Sequence, residues 1–108
     1  MIFFSKKFNK FKRIKHCFFS RNNGFSKGIY KSLNCGKGSK DKKKNILKNL
    51  NYVSQKMLVK KNKLILMNQT HSNKVIEIKT NNQKKKIDSD AMITKIKGLV
   101  LGVVTADC

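Results

Sequence analysis

Two residues in this chain carry side chains that commonly hold metal ions together, His71 and Cys108. They lie 37 positions apart (108 − 71), and each follows an apolar run. His71 comes after Leu64-Ile65-Leu66-Met67, and Cys108 ends LVLGVVTADC, which begins at Leu99. Neutral imidazole and thiolate are good zinc ligands, and a catalytic zinc commonly has three protein ligands and one open position. Such an ion polarises a substrate oxygen, or lowers the pKa of a bound water to ~7. The same residues also fit a plainer reading. A histidine after a strand is often a hydrogen-bonded loop residue, and a lone cysteine is often a small buried hydrophobe. Asp107 has two readings as well: it orients a ligand or accepts a substrate hydrogen bond, or it closes the strand as a turn residue. Gln69 reads either as a substrate contact or as a backbone tether.

These residues need elements to position them. Leu99 to Cys108 reads as a fully buried strand, rich in Val and Leu and too short for a helix. It is too apolar for a solvent-facing edge, so sequence beyond Cys108 is expected to cover it. Lys63 to Asn68 reads as a second buried strand. Lys74 to Lys79 alternates and reads as a third, joined to the second as a hairpin or across a bend. Asp88-Ser89-Asp90 leads into another at Ala91-Met92-Ile93-Thr94. Ile46, Leu47, Leu50, Val53, Met57 and Leu58 recur at helical spacing, predicting a helix from about Asp41 to Leu58. Ser39 or Asp41 is placed to cap it. Nearer the N-terminus, Ile2 to Phe4 and His16 to Phe19 read as short strands joined by a basic loop, and Asn22-Asn23-Gly24 is a turn. NCGKGSKD lacks the GxxxxGK[ST] spacing and reads as a glycine-rich surface loop whose N–H groups can face an anion. The order of strands, helix and strands predicts an α+β class with mixed α/β layers. There is no repeat, no proline and no convincing linker, so residues 1–108 read as a single partial domain, truncated after Ala106-Asp107-Cys108.

The charge is +21, from 26 Lys+Arg against 5 Asp+Glu. Only Arg13 and Arg21 are arginines, and the lysines are spread among Asn and Ile, as in a compositionally biased coding sequence. Base readers use Arg forks, so no specific nucleic-acid partner is expected. No run approaches the ~20 apolar residues of a membrane span, and no membrane partner is expected. Cys17, Cys35 and Cys108 are odd in number and form no CxxC pair, which indicates neither a disulfide framework nor a self-contained zinc finger and suits a reducing cytoplasm. A basic module for nucleic acid or anionic surfaces, or a non-functional truncated product, is the alternative to an enzyme.

Several segments together resemble the laccase-domain or YfiH-type family. These are HCFFSRNNGFSKGIYKSLNCG from His16, QTH from Gln69, DAMIT from Asp90 and GLVLGVVTADC from Gly98. The family was long labelled multicopper polyphenol oxidases and later recognised as zinc-dependent purine nucleoside phosphorylases. The resemblance implies the N-terminal part of a YfiH-like α/β sandwich. It implies His71 and Cys108 as zinc ligands and catalytic residues, with copper the metal historically proposed. It also implies Arg21 as a phosphate or substrate contact, with Gln69 and Asp107 beside the substrate. The implied activities are phosphorolysis of adenosine, inosine, guanosine or methylthioadenosine, and deamination of adenosine. Two departures stand out. The family's QVHG is QTHS here, with Ser72 in place of glycine. The family's third ligand is a histidine in a segment resembling HAGWRG, downstream of the point where this chain ends.

Overall fold

The computed structural model describes residues 2–80 and 86–106. The chain forms two compact units, Met1–Leu58 and Val59–Cys108. Strands and helix are both present, as the α+β expectation requires.

In the first unit, β1 (Ile2–Phe3) pairs antiparallel with β2 (Phe18–Phe19), Ile2 opposite Phe19 and Phe3 opposite Phe18. Both strands are shorter than predicted. Beyond Phe3 the ladder gives way to a side chain, because the Ser5 N–H donates to His16 Nε2 at 2.7 Å. Asn23 takes a positive φ of 70° in the predicted turn. The following Gly24 is there for space: a Cβ would run into the Ser32 carbonyl and the Leu33 backbone.

Helix α1 runs Lys43–Lys56, inside the predicted limits. Neither predicted cap closes it. Its N-cap is Lys42, without a side-chain cap. Asp41 stands one residue earlier, accepting from the Lys42 N–H at 2.8 Å, from Asn34 Nδ2 at 3.2 Å and from the Ser26 hydroxyl. The Ser39 hydroxyl donates to the Gly36 carbonyl at 2.7 Å. Both residues therefore tie the preceding loop. Within that loop the Gly36 N–H donates to Asn34 Oδ1 and the Ser39 N–H to the Gly36 carbonyl, so these two groups are turned inward rather than toward an anion.

The predicted stripe is buried at Ile46, Leu50 and Met57, but Asn49 and Ser54 are buried as well and Leu47 is exposed. Leu58 leaves the helix in a left-handed conformation, φ 59°, and is 79 % exposed. A left-handed residue just past the C-cap ends a helix, so Leu58 cannot continue the apolar face. Cys17 and Cys35 are free thiols, and burial pushes the Cys35 thiol up to about 11.

The second unit is built on parallel pairing. β3 (Leu64–Leu66) pairs with β6 (Val100–Gly102), Leu64 opposite Val100 and Leu66 opposite Gly102. β4 (Val75–Ile78) pairs with β5 (Ala91–Thr94), Val75 opposite Ala91. A parallel bridge between Asn68 and Asp88 links the two pairs. β3 and β4 are therefore not a hairpin; a parallel partner must return through a longer crossover. Ile65 and Ile78 are the buried aliphatics of this unit, joined by the fully buried Ser89, whose hydroxyl donates to the Ala91 carbonyl at 3.2 Å. The final apolar run is regular only over Val100–Gly102 and half-buried there, and Val103 is exposed. This corrects the expectation of a fully buried strand through Cys108: Val103, Val104 and Thr105 have left the ladder with β3. Gly102 allows the close approach of the pair, since a Cβ there would sit 2.6 Å from Leu66 Cδ2.

Candidate functional site

The register of β3 and β6 decides where the candidate ligands emerge. The two strands are parallel neighbours and end level, at Leu66 and Gly102. His71 is five positions past Leu66 (71 − 66), and Cys108 is six past Gly102 (108 − 102). Both connections leave the carboxyl end of adjacent strands, the edge at which α/β sheets commonly bind ligands. Asp107 and Cys108 themselves lie outside the described residues.

The His71 loop is held by one carboxylate. Asp90 Oδ2 accepts from the Ser72 N–H at 2.7 Å, the Ser72 hydroxyl at 2.7 Å, the Thr70 hydroxyl at 3.2 Å and the Thr70 N–H at 3.3 Å. Asp90 Oδ1 accepts from the His71 N–H at 3.0 Å. Three successive backbone N–H groups thus point at one anion, the arrangement of a backbone nest. The Ser72 N–H and hydroxyl, with the His71 and Thr70 N–H groups, hold the Asp90 carboxyl well below the usual carboxylate range against the opposing effect of desolvation. His71 sits at φ 58°, a left-handed conformation that costs a β-carbon residue roughly 1–2 kcal/mol. The hydrogen bonds to Asp90 offset that strain through the backbone, and the His71 side chain stays exposed.

Asp90 is itself anchored. Its N–H donates to the Lys74 carbonyl at 3.1 Å, and the preceding turn is fixed by Asn68 N–H to the Ile87 carbonyl at 2.6 Å and Asn68 Nδ2 to Asp88 Oδ1 at 2.9 Å. Sequence reasoning placed Asp90 in a motif but gave it no role at the site. The available signal was scarcity: it is one of only five acids in the chain.

Arg21 belongs to the first unit, exposed on the loop before the Asn23 turn. Its carbonyl accepts from the Leu33 N–H at 2.8 Å, the Ser32 N–H at 3.1 Å and the Ser32 hydroxyl at 2.6 Å. The Ser32 hydroxyl also accepts from the Gly24 N–H at 3.1 Å. Asn49 reaches up from α1, accepting from the Phe25 N–H at 2.7 Å and donating to the Asn34 carbonyl at 2.7 Å and to Ser26 Oγ at 2.9 Å. Gln69 lies in the second unit, exposed, directly before the residues bound to Asp90. Among the described residues, no three His, Cys, Asp or Glu side chains stand together as a metal site. No helix among them is long and apolar enough to cross a membrane.

The sequence model of the multi-copper polyphenol oxidoreductase laccase family matches residues 15–108. The chain belongs to this family. Three solved structures share the laccase-domain fold. YlmD from Geobacillus stearothermophilus is 21% identical with a TM-score of 0.73, over 82% of this chain and 36% of its own. A Neisseria meningitidis protein of the DUF152 family is 29% identical with a TM-score of 0.73, over 85% of this chain and 36% of its own. The hypothetical protein YfiH of Bacillus licheniformis is 22% identical with a TM-score of 0.75, over 82% of this chain and 36% of its own. The chain thus spans about a third of the length of the structures it matches. No curated protein matches it.

Proposed function

We propose that this chain carries the first part of a zinc-dependent purine nucleoside phosphorylase site of the laccase-domain family. The observation that supports this most is the common exit edge of β3 and β6, which sends the connections to His71 and Cys108 out of the same end of one parallel pair. The donor chemistry fits zinc: one imidazole and one thiolate, with the third ligand a histidine beyond these residues. Zinc bound there supplies Lewis acidity toward a substrate oxygen.

The chain's own residues do the rest. Asp90 fixes the backbone of the loop that carries His71. Arg21 contributes a cationic fork for phosphate, the co-substrate of nucleoside cleavage. Gln69 and Asp107 offer hydrogen bonds to the purine nucleoside. Adenosine deamination draws on the same metal-activated water chemistry.

The test is metal analysis together with inosine and adenosine turnover, with and without phosphate, on the full-length protein carrying this sequence. His71→Ala and Cys108→Ala should each lower metal content and turnover. Arg21→Ala should keep the metal and flatten the dependence of rate on phosphate. Full activity in a metal-loaded Cys108→Ala protein would refute the assignment.

A further inference from the structure

The connection between β1 and β2 presents an uncovered aromatic surface. Phe4, Phe8, Phe11, Ile14 and Phe18 are each half or more exposed, whereas such side chains in soluble domains are mostly buried. Three of them form one cluster. The rings of Phe8, Phe4 and Phe18 pack edge-on around His16, with centroids 5.4, 5.9 and 6.3 Å away. His16 also closes the base of the loop by accepting the Ser5 N–H. The aromatic group is therefore a built feature of the loop, not a row of independent side chains.

The charge on the same loop has one sign. Lys6, Lys7, Lys10, Lys12, Arg13 and Lys15 are all exposed, and no acid occurs before Asp41. Residues 2–14 also precede the stretch that matches the family, which starts at residue 15.

We propose that this loop docks on the surface of an anionic lipid bilayer. Apolar side chains flanked by cations are what an interfacial site requires: the rings enter the boundary between headgroups and acyl chains, and the lysines meet lipid phosphate and carboxylate. Such a site needs no spanning segment, so the absence of a long apolar run does not count against it. Single-stranded nucleic acid fits less well. Its platforms present flat aromatic faces, commonly with arginine. Here the rings stand at 76–90° to His16, the set includes aliphatic Ile14, and one of six cations is arginine.

The test is co-sedimentation of the full-length protein carrying this sequence with phosphatidylcholine vesicles, with and without phosphatidylserine. The comparison is a Phe4→Ser/Phe8→Ser/Phe18→Ser variant, which keeps the +21 charge of these 108 residues. The protein should bind only the anionic vesicles, and the variant should bind them roughly tenfold or more weakly. Because the triple change can disturb the loop, Phe8→Trp gives a second reading: its emission, taken as the difference from the parent, should shift to the blue with anionic vesicles and not with neutral ones. Sedimentation of the triple variant equal to the parent, or an unshifted emission, would leave only bulk lysine charge and overturn the proposal. Tighter Phe-dependent binding to single-stranded polyuridylate than to vesicles would also overturn it. So would a Phe-dependent dimer formed without lipid.

Discussion

Asn49 is the side chain on which the Arg21 loop depends most, and its removal has a calculable effect. The residue is fully buried, at 0% exposure, and makes three hydrogen bonds of 2.7 to 2.9 Å. Asn49→Ala strips the partner from two backbone groups, the Phe25 N–H and the Asn34 carbonyl. Each buried polar group left unsatisfied costs about 1–3 kcal/mol. Allowing for water entering the space, the loss should be about 3 kcal/mol, a large share of the ~5–15 kcal/mol that holds a small domain together. Ser26→Ala removes the bond from Asn49 and the hydroxyl's bond to Asp41 but strips no backbone group of its partner, and should cost less, about 1–2 kcal/mol. Urea unfolding followed by far-ultraviolet circular dichroism measures both. With a urea slope of about 1.5 kcal/mol/M, the Asn49→Ala midpoint should fall by about 2 M. Exchange of the Phe25 amide should speed up in Asn49→Ala more than in Ser26→Ala. A midpoint within ~0.3 M of the parent, equivalent to about 0.5 kcal/mol at that slope, would refute the reasoning. So would a larger effect from Ser26→Ala than from Asn49→Ala.

Asp90→Ala should leave overall secondary structure intact while the amides of Thr70, His71 and Ser72 lose protection from exchange. On the proposed assignment of His71 as a zinc ligand, the full-length protein with this change should bind zinc about 10- to 100-fold more weakly, the usual effect of losing a group that orients a ligand. Asp41 accepts from Ser26, Asn34 and the Lys42 N–H, and the Ser26 hydroxyl leads in holding its carboxyl below the ordinary value against desolvation. A depressed folded-state pKa means the carboxylate stabilises the fold above the unfolded value. That contribution should be lost as pH falls below about 4. A pH series of urea midpoints should show this step in the parent and lack it in Asp41→Asn. Gly24→Ala drives a Cβ into the Ser32 carbonyl and the Leu33 Cα, backbone on both counts, and should cost about 2 kcal/mol or more by the same unfolding assay. Gly38→Ala meets nothing within 4 Å and should change stability by no more than about 1 kcal/mol, in the stabilising direction.

The helix was legible because a period near 3.6 survives in Ile46 and Leu50 whatever surrounds it. Its true inner face was not. Asn49 reads as a surface residue by type, and only the loop folded over α1, which turns its Phe25 N–H and Asn34 carbonyl toward the helix, makes an amide the right choice there. Strand positions were legible from apolar runs, since β3, β4, β5 and β6 each fall inside a predicted one. Their pairing was not, because alternation reports which face is buried and says nothing of the partner strand. The order β3 with β6 and β4 with β5 is set by crossovers. Of the candidate site, residue type and motif single out His71 and Cys108 in the sequence, and the parallel register adds that the chain leading toward each leaves the same end of β3 and β6.

The acids show what composition alone conceals. In a chain of charge +21 a carboxylate would be expected to serve as a counter-ion to lysine. Three of the four described acids instead accept hydrogen bonds that tie loops: Asp41 before α1, Asp88 through Asn68, and Asp90 around His71. An exposed lysine pair is worth little, ~0–1 kcal/mol and screened by salt, whereas several fixed donors on one carboxylate specify a conformation. The turn at His71 follows the same logic. Thr70 and Ser72 flank His71, and both hydroxyls donate to Asp90 Oδ2 beside the three backbone N–H groups that face the same carboxylate. Five donors on one carboxylate hold the left-handed turn directly, so the conformation of this loop rests on Asp90.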